Sequence, residues 1–276
     1  MDTAELKRIA NEVRKNIVTS VHAAKSGHPG GSLSSADILT YLYYVEMRGL
    51  DPKDPKNPDR DRFVLSKGHA APVLYGTLAE KGYFPKEDLV TLRHIGSHLQ
   101  GHPDMNLTPG VDMSTGSLGQ GISTAVGMAL AGKMDGKDYR VYTLLGDGEI
   151  QEGQVWEACM FAGHRKLDNL VVIVDLNGLQ IDGEIAKVCS PFPVDEKFMS
   201  FNFNVIHADA HDFDSLAKAF AEARETKGMP TAIIAKSVKG KGVSFMENNA
   251  DWHGKAPNDE QFMTAMKDLE EIGKGL

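Results

Sequence analysis

From residue 139 onward, short apolar runs alternate along the chain with segments that have helical periodicity. Apolar runs of this length are typical of buried strands, and the intervening segments carry apolar residues at the spacing of helices that pack on a sheet. The predicted order is strand 139–145, helix 151–165, strand 170–176, strand 205–208, helix 214–226 and strand 231–238. Because strand–helix–strand units join parallel strands by right-handed crossovers, this order predicts an α/β fold. We expect a doubly wound, mostly parallel sheet with helices on both faces.

The N-terminal part adds two helices and a further strand to this prediction. Residues 3–24 place apolar side chains at the i, i+3, i+4, i+7 spacing of a helix on a core. That helix should end before residues 26–31, where three glycines and a proline predict a loop. A second helix is expected near 34–47, and a short strand over 62–66. With no repeat, low-complexity segment or long linker, residues 1–276 are expected to form one domain.

Composition narrows the class of protein. Lys and Arg number 30 against 38 Asp and Glu, a net charge of −8 without a basic stripe, which argues against nucleic-acid binding. The two cysteines, Cys159 and Cys189, do not suggest a disulfide scaffold and are typical of a reducing compartment. No apolar run is long enough to cross a membrane, and the charged N-terminal segment does not resemble a signal peptide. We therefore expect a cytoplasmic protein without a membrane partner.

Three familiar ligand-binding motifs each lack an essential feature. The run from Gly116 to Gly121 has the glycine spacing of a dinucleotide-binding turn in reverse. Residues 127–133 approach a phosphate-binding loop, but Met134 stands where a Ser or Thr must hold Mg²⁺, and the stretch has helical periodicity. A calcium-loop pattern near residues 175–186 has Ala186 in place of the bidentate Glu.

One carboxylate and one amide are placed where a metal site is plausible. Asp147 lies between two glycines directly after a predicted strand, and Asn177 follows the next strand, 30 positions later. If those strands are neighbours, both side chains emerge at the carboxyl edge of the sheet, where doubly wound folds bind ligands. Together with a backbone carbonyl they are too few to enclose Mg²⁺, but they suit Mg²⁺ or Ca²⁺ completed by phosphate oxygens and water. A tight turn in which Asp147 caps the following helix is the alternative.

Several motifs together resemble one enzyme family. Gly-Asp-Gly followed after thirty residues by Asn resembles the diphosphate–metal motif of thiamine-diphosphate enzymes. Four more stretches, at residues 26–31, 66–70, 101–104 and 115–121, resemble transketolase in sequence and in order, and Trp252-His253-Gly254 completes the series. The resemblance covers essentially the whole chain. It implies the thiamine-diphosphate-binding fold, with residues 1–276 as its diphosphate and metal half.

The resemblance also implies how the cofactor would be held. Asp147, Asn177 and the carbonyl of Leu179 would ligate Mg²⁺ (or Ca²⁺ or Mn²⁺). The backbone N–H of Gly148 would contact the diphosphate. The backbone of Gly116 and Leu118 would contact the aminopyrimidine ring, and Ile181 would pack beneath the thiazolium. Glu152 resembles the acidic residue that links the two cofactor sites of a dimer.

The chain has ten histidines, and four of them lie among glycines and prolines in predicted loops, which suits close approach to a ligand. By resemblance, His69 and His253 would lie against the phosphates or the bound sugar. His28 and His102 would hydrogen-bond the carbonyl and hydroxyl oxygens of the substrate. The remaining histidines have no motif around them: we interpret His22, His94, His164 and His207 as structural, and leave His98 and His211 unassigned.

Transketolases also contain a pyrimidine-binding domain, which supplies the catalytic Glu, and a third, C-terminal domain. No stretch of this sequence can be assigned those roles, and Glu149 and Glu152 lie too close to the metal motif to replace that Glu. The resemblance therefore implies an N-terminal subunit of a split transketolase of the pentose phosphate pathway, inactive alone and assembled with a C-terminal subunit, two of each chain, as a heterotetramer. Its reaction would move a two-carbon ketol unit from a ketose phosphate to an aldose phosphate.

Other interpretations of the sequence stay open. The chain could be a subunit of another thiamine-diphosphate enzyme, such as a 2-oxoacid dehydrogenase component or a deoxyxylulose-phosphate synthase-like protein. It could also be a non-catalytic metal- or nucleotide-binding module, or a fragment of a longer transketolase. The Gly-His-Pro-Gly and Gly-His-Pro-Asp loops favour transketolase among these.

Overall fold

A five-stranded parallel sheet forms the centre of the computed structural model, which describes residues 1–276. Its strands are β1 (Arg62–Leu65), β2 (Val141–Gly146), β3 (Leu170–Leu176), β6 (Asn204–Asp209) and β7 (Thr231–Lys236), in the spatial order β1-β2-β3-β7-β6. A two-stranded antiparallel ribbon, β4 (Leu179–Gln180) and β5 (Gly183–Glu184), follows β3. All four neighbouring pairs in the main sheet are parallel, as the alternating sequence pattern predicts.

Ten α-helices surround the sheet. They are α1 (Thr3–Ala24), α2 (Pro29–Leu33), α3 (Ala36–Tyr41), α4 (Ala71–Lys81), α5 (Gln120–Met134), α6 (Gly153–His164), α7 (Ile185–Val188), α8 (Val194–Ser200), α9 (Phe213–Glu225) and α10 (Asp259–Lys274). Shorter helical turns occur at Leu42–Glu46, Gly68–Ala70, Lys86–Thr91, Glu149–Gln151 and Ala250–Trp252. None of the helices has both the length and the apolar composition that a membrane span requires.

The sheet is covered on both faces because its side chains alternate between two cores. In β3, Val171 and Ile173 join a cluster of 48 buried residues, whereas Val172 and Val174 join a second cluster of 21. The larger core also takes residues from α1, α3, α4, α9 and α10, and the smaller one from α5, α6 and α8. The predicted doubly wound architecture is confirmed.

The loop predicted over residues 26–31 is wrong in its second half. Helix α2 begins at Pro29, because proline at the first helical position loses no hydrogen bond and already has a helical φ. The helix predicted near 34–47 is in turn divided into α3 and a π-helical turn over Leu42–Glu46. Glycine and proline therefore restart a helix here instead of extending the loop.

The register of β2 and β3 positions the site. The two strands are neighbours, and Gly146 at the end of β2 pairs with Asp175 near the end of β3. Asp147 and Asn177 follow directly at the same carboxyl edge, as the sequence predicts. The end of β7, which neighbours β3, comes to this edge as well.

Candidate functional site

A cleft of about 240 Å³ opens at the carboxyl edge of the sheet. Nine of the residues predicted from sequence line it: His69, Leu118, Asp147, Gly148, Glu152, Asn177, Leu179, Ile181 and His253. The lining also includes residues that the sequence did not single out as site residues, among them Lys67, Gln180 and Lys239. The cleft thus gathers segments that are far apart in sequence at the place where a doubly wound fold binds ligands.

Asp147 is held by the two loops that meet in the cleft. Its Oδ1 accepts the backbone N–H of Gly148 at 2.8 Å, and its Oδ2 accepts that of Gly178 at 2.6 Å. The side chain is 2 % exposed, and burial together with the nearby Asp175 carboxylate raises its pKa to about 6. Because the Gly148 N–H is used in this way, its predicted contact with a diphosphate stays a prediction.

Asn177 lies in the same cleft, at the start of the turn into β4. Its Oδ1 accepts the Leu179 N–H at 3.1 Å, and its Nδ2 donates to Asp175 at 3.2 Å. No group of three or more His, Cys, Asp or Glu side chains gathers into a complete metal site anywhere in the chain. A cation beside Asp147 and Asn177 therefore needs further ligands from outside the protein.

Beneath the cleft, Asp175 and Lys67 form a fully buried ion pair. The Lys67 Nζ donates to Asp175 at 2.5 Å and to the Gly31 carbonyl at 2.8 Å. Asp175 also accepts hydrogen bonds from the hydroxyls of Ser34 and Ser237. Burial alone would raise the pKa of Asp175, but Lys67 and these hydroxyls hold it below its ordinary value. The network connects β3 to α2 and to the segment after β7.

A second lysine, Lys239, enters the cleft from the segment after β7. It is 2 % exposed, and its Nζ lies 3.2 Å from His253 Nδ1. Burial and the charge of Lys67 lower the pKa of Lys239 to about 8. No carboxylate forms a salt bridge with it, so its positive charge is available to a bound anion.

Three of the four predicted histidines form a triangle. The ring centroids of His28, His69 and His253 are separated by 5.2 to 5.4 Å. Burial is the main cause that lowers the pKa of each ring, and a nearby cation adds to it. The pKa of His28, which is near Arg93, is lowered to about 4, and that of His253, near Lys239, to about 3. The pKa of His69, near Lys67, is lowered well below its ordinary value. All three rings are thus neutral near pH 7, and the buried Nδ1 of His28 has no hydrogen-bond partner.

The fourth histidine, His102, packs against Gly116 beside this triangle. A Cβ on Gly116 would lie 3.0 Å from His102 Cγ, and the φ of Gly116 is +150°, so only glycine is tolerated there. Burial and Arg93 lower the pKa of His102 too. His28, His102 and Gly116 adjoin the cleft instead of lining it.

The rim of the cleft is apolar and open. Leu118 is 36 % exposed and Ile181 is 64 % exposed, although both side chains line the cleft. Glu152 is exposed on the same rim, whereas Glu149 is buried and bonded to Ser66. This part of the site has no cover within the chain.

The chain matches a known protein family over most of its length. Residues 5–270 match the family described as "Transketolase, thiamine diphosphate binding domain". The chain belongs to the transketolase family. Thiamine diphosphate is the cofactor of this family domain.

Relatives of transketolase occur both as separate subunits and as longer chains. Our chain is 45 % identical to the 6-deoxy-6-sulfo-D-fructose transketolase subunit SqwG of Clostridium sp., covering 98 % of each chain. It is 42 % identical to one subunit of the apulose-4-phosphate transketolase of Phocaeicola vulgatus, covering 98 % of this chain and 95 % of that one. The mouse transketolase is 47 % identical, but the match spans only 40 % of its length.

The fold gives the same result. The crystal structure of transketolase from Campylobacter jejuni superposes with a TM-score of 0.92 at 36 % identity, over 98 % of this chain and 43 % of that one. The predicted likeness to the N-terminal subunit of a split transketolase is confirmed. The alternative of another thiamine-diphosphate enzyme is not favoured by these relatives.

Proposed function

We propose that this chain is the diphosphate-binding subunit of a two-chain transketolase that transfers a two-carbon ketol unit from a ketose phosphate to an aldose phosphate. The observation that carries this proposal is the cleft itself, in which Asp147, Asn177, two buried lysines and a histidine cluster converge. When bound, thiamine diphosphate supplies the thiazolium chemistry that breaks and forms carbon–carbon bonds beside a carbonyl. The residues of the protein bind and orient the cofactor and the substrate, and they exchange protons with the groups to which they are hydrogen-bonded.

The charges of the cleft fit a metal–diphosphate group. Lys239 forms no salt bridge with a carboxylate, whereas Lys67, which also lines the cleft, is paired with Asp175. A bound anion is therefore favoured close to the Lys239 ammonium, where burial limits screening by solvent. Asp147 adds a carboxylate to the cleft, which a cation on the diphosphate would neutralise.

Asp147, Asn177 and the Leu179 carbonyl are the proposed ligands of that cation. Three oxygen donors are too few for an all-protein Mg²⁺ site but suit one completed by diphosphate oxygens and water. Mg²⁺ is the proposed ion, with Ca²⁺ or Mn²⁺ able to use the same donors. The hydrogen bonds to the N–H groups of Gly178 and Leu179 would keep the two side chains oriented for this role.

The histidine cluster is the proposed sugar-binding and proton-transfer region. The unpartnered Nδ1 of His28 is a buried polar atom that a ligand oxygen could satisfy. His102 packs against Gly116 and is close enough to His28 to lower its pKa, and the two histidines are proposed to bond the carbonyl and hydroxyl oxygens of the substrate. His69 and His253, which are next to the lysines, are proposed to contact phosphate or sugar groups.

A partner subunit would complete the site. Glu149 is buried and bonded to Ser66, Gly119 and Gly146, so it has no freedom to act on an aminopyrimidine. The exposed rim at Leu118, Ile181 and Glu152 is the proposed place where the other half of the cofactor site docks. That half would bring the catalytic Glu in a heterotetramer of two copies of each chain, and the proposed location is the cytoplasm.

Reconstitution tests this proposal. The chain alone, supplied with thiamine diphosphate and Mg²⁺, should show no ketol transfer, and adding the C-terminal subunit should restore it. The substrates assayed should include pentose-pathway ketose phosphates, 6-deoxy-6-sulfo-D-fructose and apulose 4-phosphate. The last two occur in the names of the related transketolase subunits. Substantial turnover by the chain alone would contradict the division of labour, and an active complex that needs no thiamine diphosphate would contradict the function.

A further inference from the structure

His211 belongs to a buried polar triad with Arg14 and Asp37. Arg14 donates to both oxygens of Asp37, at 3.0 and 2.5 Å, and His211 Nδ1 donates to Asp37 Oδ2 at 2.7 Å. The three side chains come from α1, from α3 and from the turn before α9, and all are largely removed from solvent. None of them lines the cofactor cleft.

The triad is connected to the segment that follows β7. His211 Nε2 accepts the backbone N–H of Val238 at 2.9 Å, and Arg14 Nε donates to the carbonyl of Lys241 at 3.1 Å. A backbone N–H can only donate, so Nε2 must be unprotonated and Nδ1 must carry the hydrogen that Asp37 accepts. The imidazole is therefore fixed as one neutral tautomer between Asp37 and Val238.

The segment held in this way carries Lys239 into the cleft. Residues 237–243 have no helix or strand of their own, and Gly240 and Gly242 adopt positive φ. On the cleft side, the Ser237 hydroxyl bonds Asp175 and the Gly240 N–H donates to the Gly30 carbonyl at 2.9 Å. On the opposite side, the contacts with His211 and Arg14 determine where the backbone lies. The position of Lys239 thus depends on bonds from both sides.

We infer that His211, oriented by Asp37 and Arg14, is a positioning residue that holds Lys239 against the diphosphate of the cofactor. The inference rests on the proposed function, because it assumes that the cleft binds a diphosphate. It names the residue that determines the position of Lys239, one of the two lysines of the cleft. His211 acts through the Val238 backbone and touches no ligand. Its removal should weaken binding of a diphosphate in the cleft without removing any group that contacts it.

Two variants of His211 separate its two hydrogen bonds. In His211→Gln the amide oxygen lies near the position of Nε2 and can still accept the Val238 N–H. In His211→Asn the amide lies near Nδ1, so it keeps Asp37 and loses Val238. In the two-subunit complex we expect His211→Asn to bind thiamine diphosphate with Mg²⁺ about fivefold to tenfold more weakly, the loss typical of one hydrogen bond, and His211→Gln to bind nearly as wild type. Equal affinities, or equal losses in two folded variants, would overturn the inference.

A double-mutant cycle with Lys239→Met tests whether the effect passes through Lys239. His211→Asn should cause no further loss of affinity in the Lys239→Met background, and an undiminished further loss would overturn the inference. The same cycle with magnesium pyrophosphate as the probe isolates the diphosphate end. If the wild-type complex bound pyrophosphate but not thiamine diphosphate, the proposed function would be wrong. The pyrophosphate cycle would still show whether His211 positions Lys239.

The ring nitrogen shifts of His211, measured on histidine-labelled wild-type chain, give a readout that needs neither ligand nor variant. The inference predicts a protonated Nδ1 and an unprotonated Nε2 at neutral pH. A protonated Nε2 would exclude the bond to Val238 and overturn it, even if the His211 variants failed to fold.

Discussion

The carboxylate of Asp147 accepts the backbone N–H of Gly178 at 2.6 Å, which ties the turn after β2 to the turn after β3. Since Gly178 follows Asn177, this one bond holds the two side chains among the proposed metal ligands on the same side of the cleft. Asp147 therefore has a structural role in the free protein as well as a proposed ligand role. Substitutions at Asp147 must be interpreted with both roles in view.

Replacing Asp147 by Asn should abolish magnesium-dependent binding of thiamine diphosphate. The change keeps the size of the side chain and removes the only carboxylate of the proposed donor set, so we expect a loss of at least about 100-fold. Calorimetry with and without Mg²⁺ measures it. Asp54→Asn is the matched control, because Asp54 is exposed and does not line the cleft. Unchanged magnesium dependence in Asp147→Asn would contradict the metal assignment.

The affinity for thiamine diphosphate should fall as the pH rises through about 8, the pKa of Lys239 in the ligand-free protein. Below that pH the Lys239 ammonium is charged and attracts the diphosphate, and above it the amine is neutral. Lys239→Met should bind more weakly at pH 7 and lose this pH dependence. Lys218→Met, on the exposed side of α9, should keep the wild-type profile. Binding constants measured between pH 7 and 9 make the comparison.

Asp37→Asn should destabilise the fold by about 3–5 kcal/mol at pH 7, because it leaves Arg14 without its buried partner. Burial alone raises the pKa of Asp37, but Arg14 and His211 outweigh it and hold the pKa well below its ordinary value. A lowered folded-state pKa stabilises the protein above about pH 4, the unfolded value, and this contribution is lost as the pH falls below it. The difference between wild type and Asp37→Asn should therefore shrink in acid.

Urea unfolding at pH 7 and at pH 3.5 or below tests that prediction. The control is Asp259→Asn, since Asp259 pairs with His22 at the surface and its side chain is almost fully exposed. Such a pair contributes at most about 1 kcal/mol. If Asp37→Asn were no more destabilising than Asp259→Asn, the buried triad would not stabilise the fold.

Two glycine substitutions within helices should have opposite effects on the free energy of unfolding. A Cβ on Gly163 in α6 would clash with the carbonyl oxygen of Phe201, so Gly163→Ala should destabilise the fold by about 2 kcal/mol or more. A Cβ on Gly127 in α5 meets nothing within 4 Å, so Gly127→Ala should stabilise by up to about 1 kcal/mol through helix propensity. Thermal and urea unfolding of the isolated chain measure both. A tolerated Gly163→Ala would contradict the close packing of α6 on the Phe201 turn.

Local sequence patterns predict the elements of the site that follow strands. Asp147 and Asn177 come directly after buried apolar runs, and parallel neighbours bring such positions to one edge. Lys67 is less visible because its role depends on Asp175, which lies 108 positions away in sequence. Lys239 had a signal, a lysine just beyond the end of a strand, but nothing local shows that its ammonium is buried.

The sequence predicts the roles of some histidines and not of others. The glycine- and proline-rich surroundings of His28 and His253 distinguish them in the sequence, and the structure places their rings together. His211 has no such surroundings, and its contacts with Asp37 and Val238 span 174 and 27 positions respectively. Tertiary hydrogen bonds of this kind leave no periodic or motif signal, so the sequence left His211 unassigned.

The neutrality of His28, His69 and His253 has a consequence for the kind of molecule they can recognise. An uncharged imidazole offers one donor and one acceptor, whereas an imidazolium can only donate. Three such rings, about 5 Å apart, can bond a polyhydroxylated chain whose oxygens both give and receive hydrogens. Exchanging tautomers would reverse the direction of these bonds without altering the net charge beside the two ammonium groups.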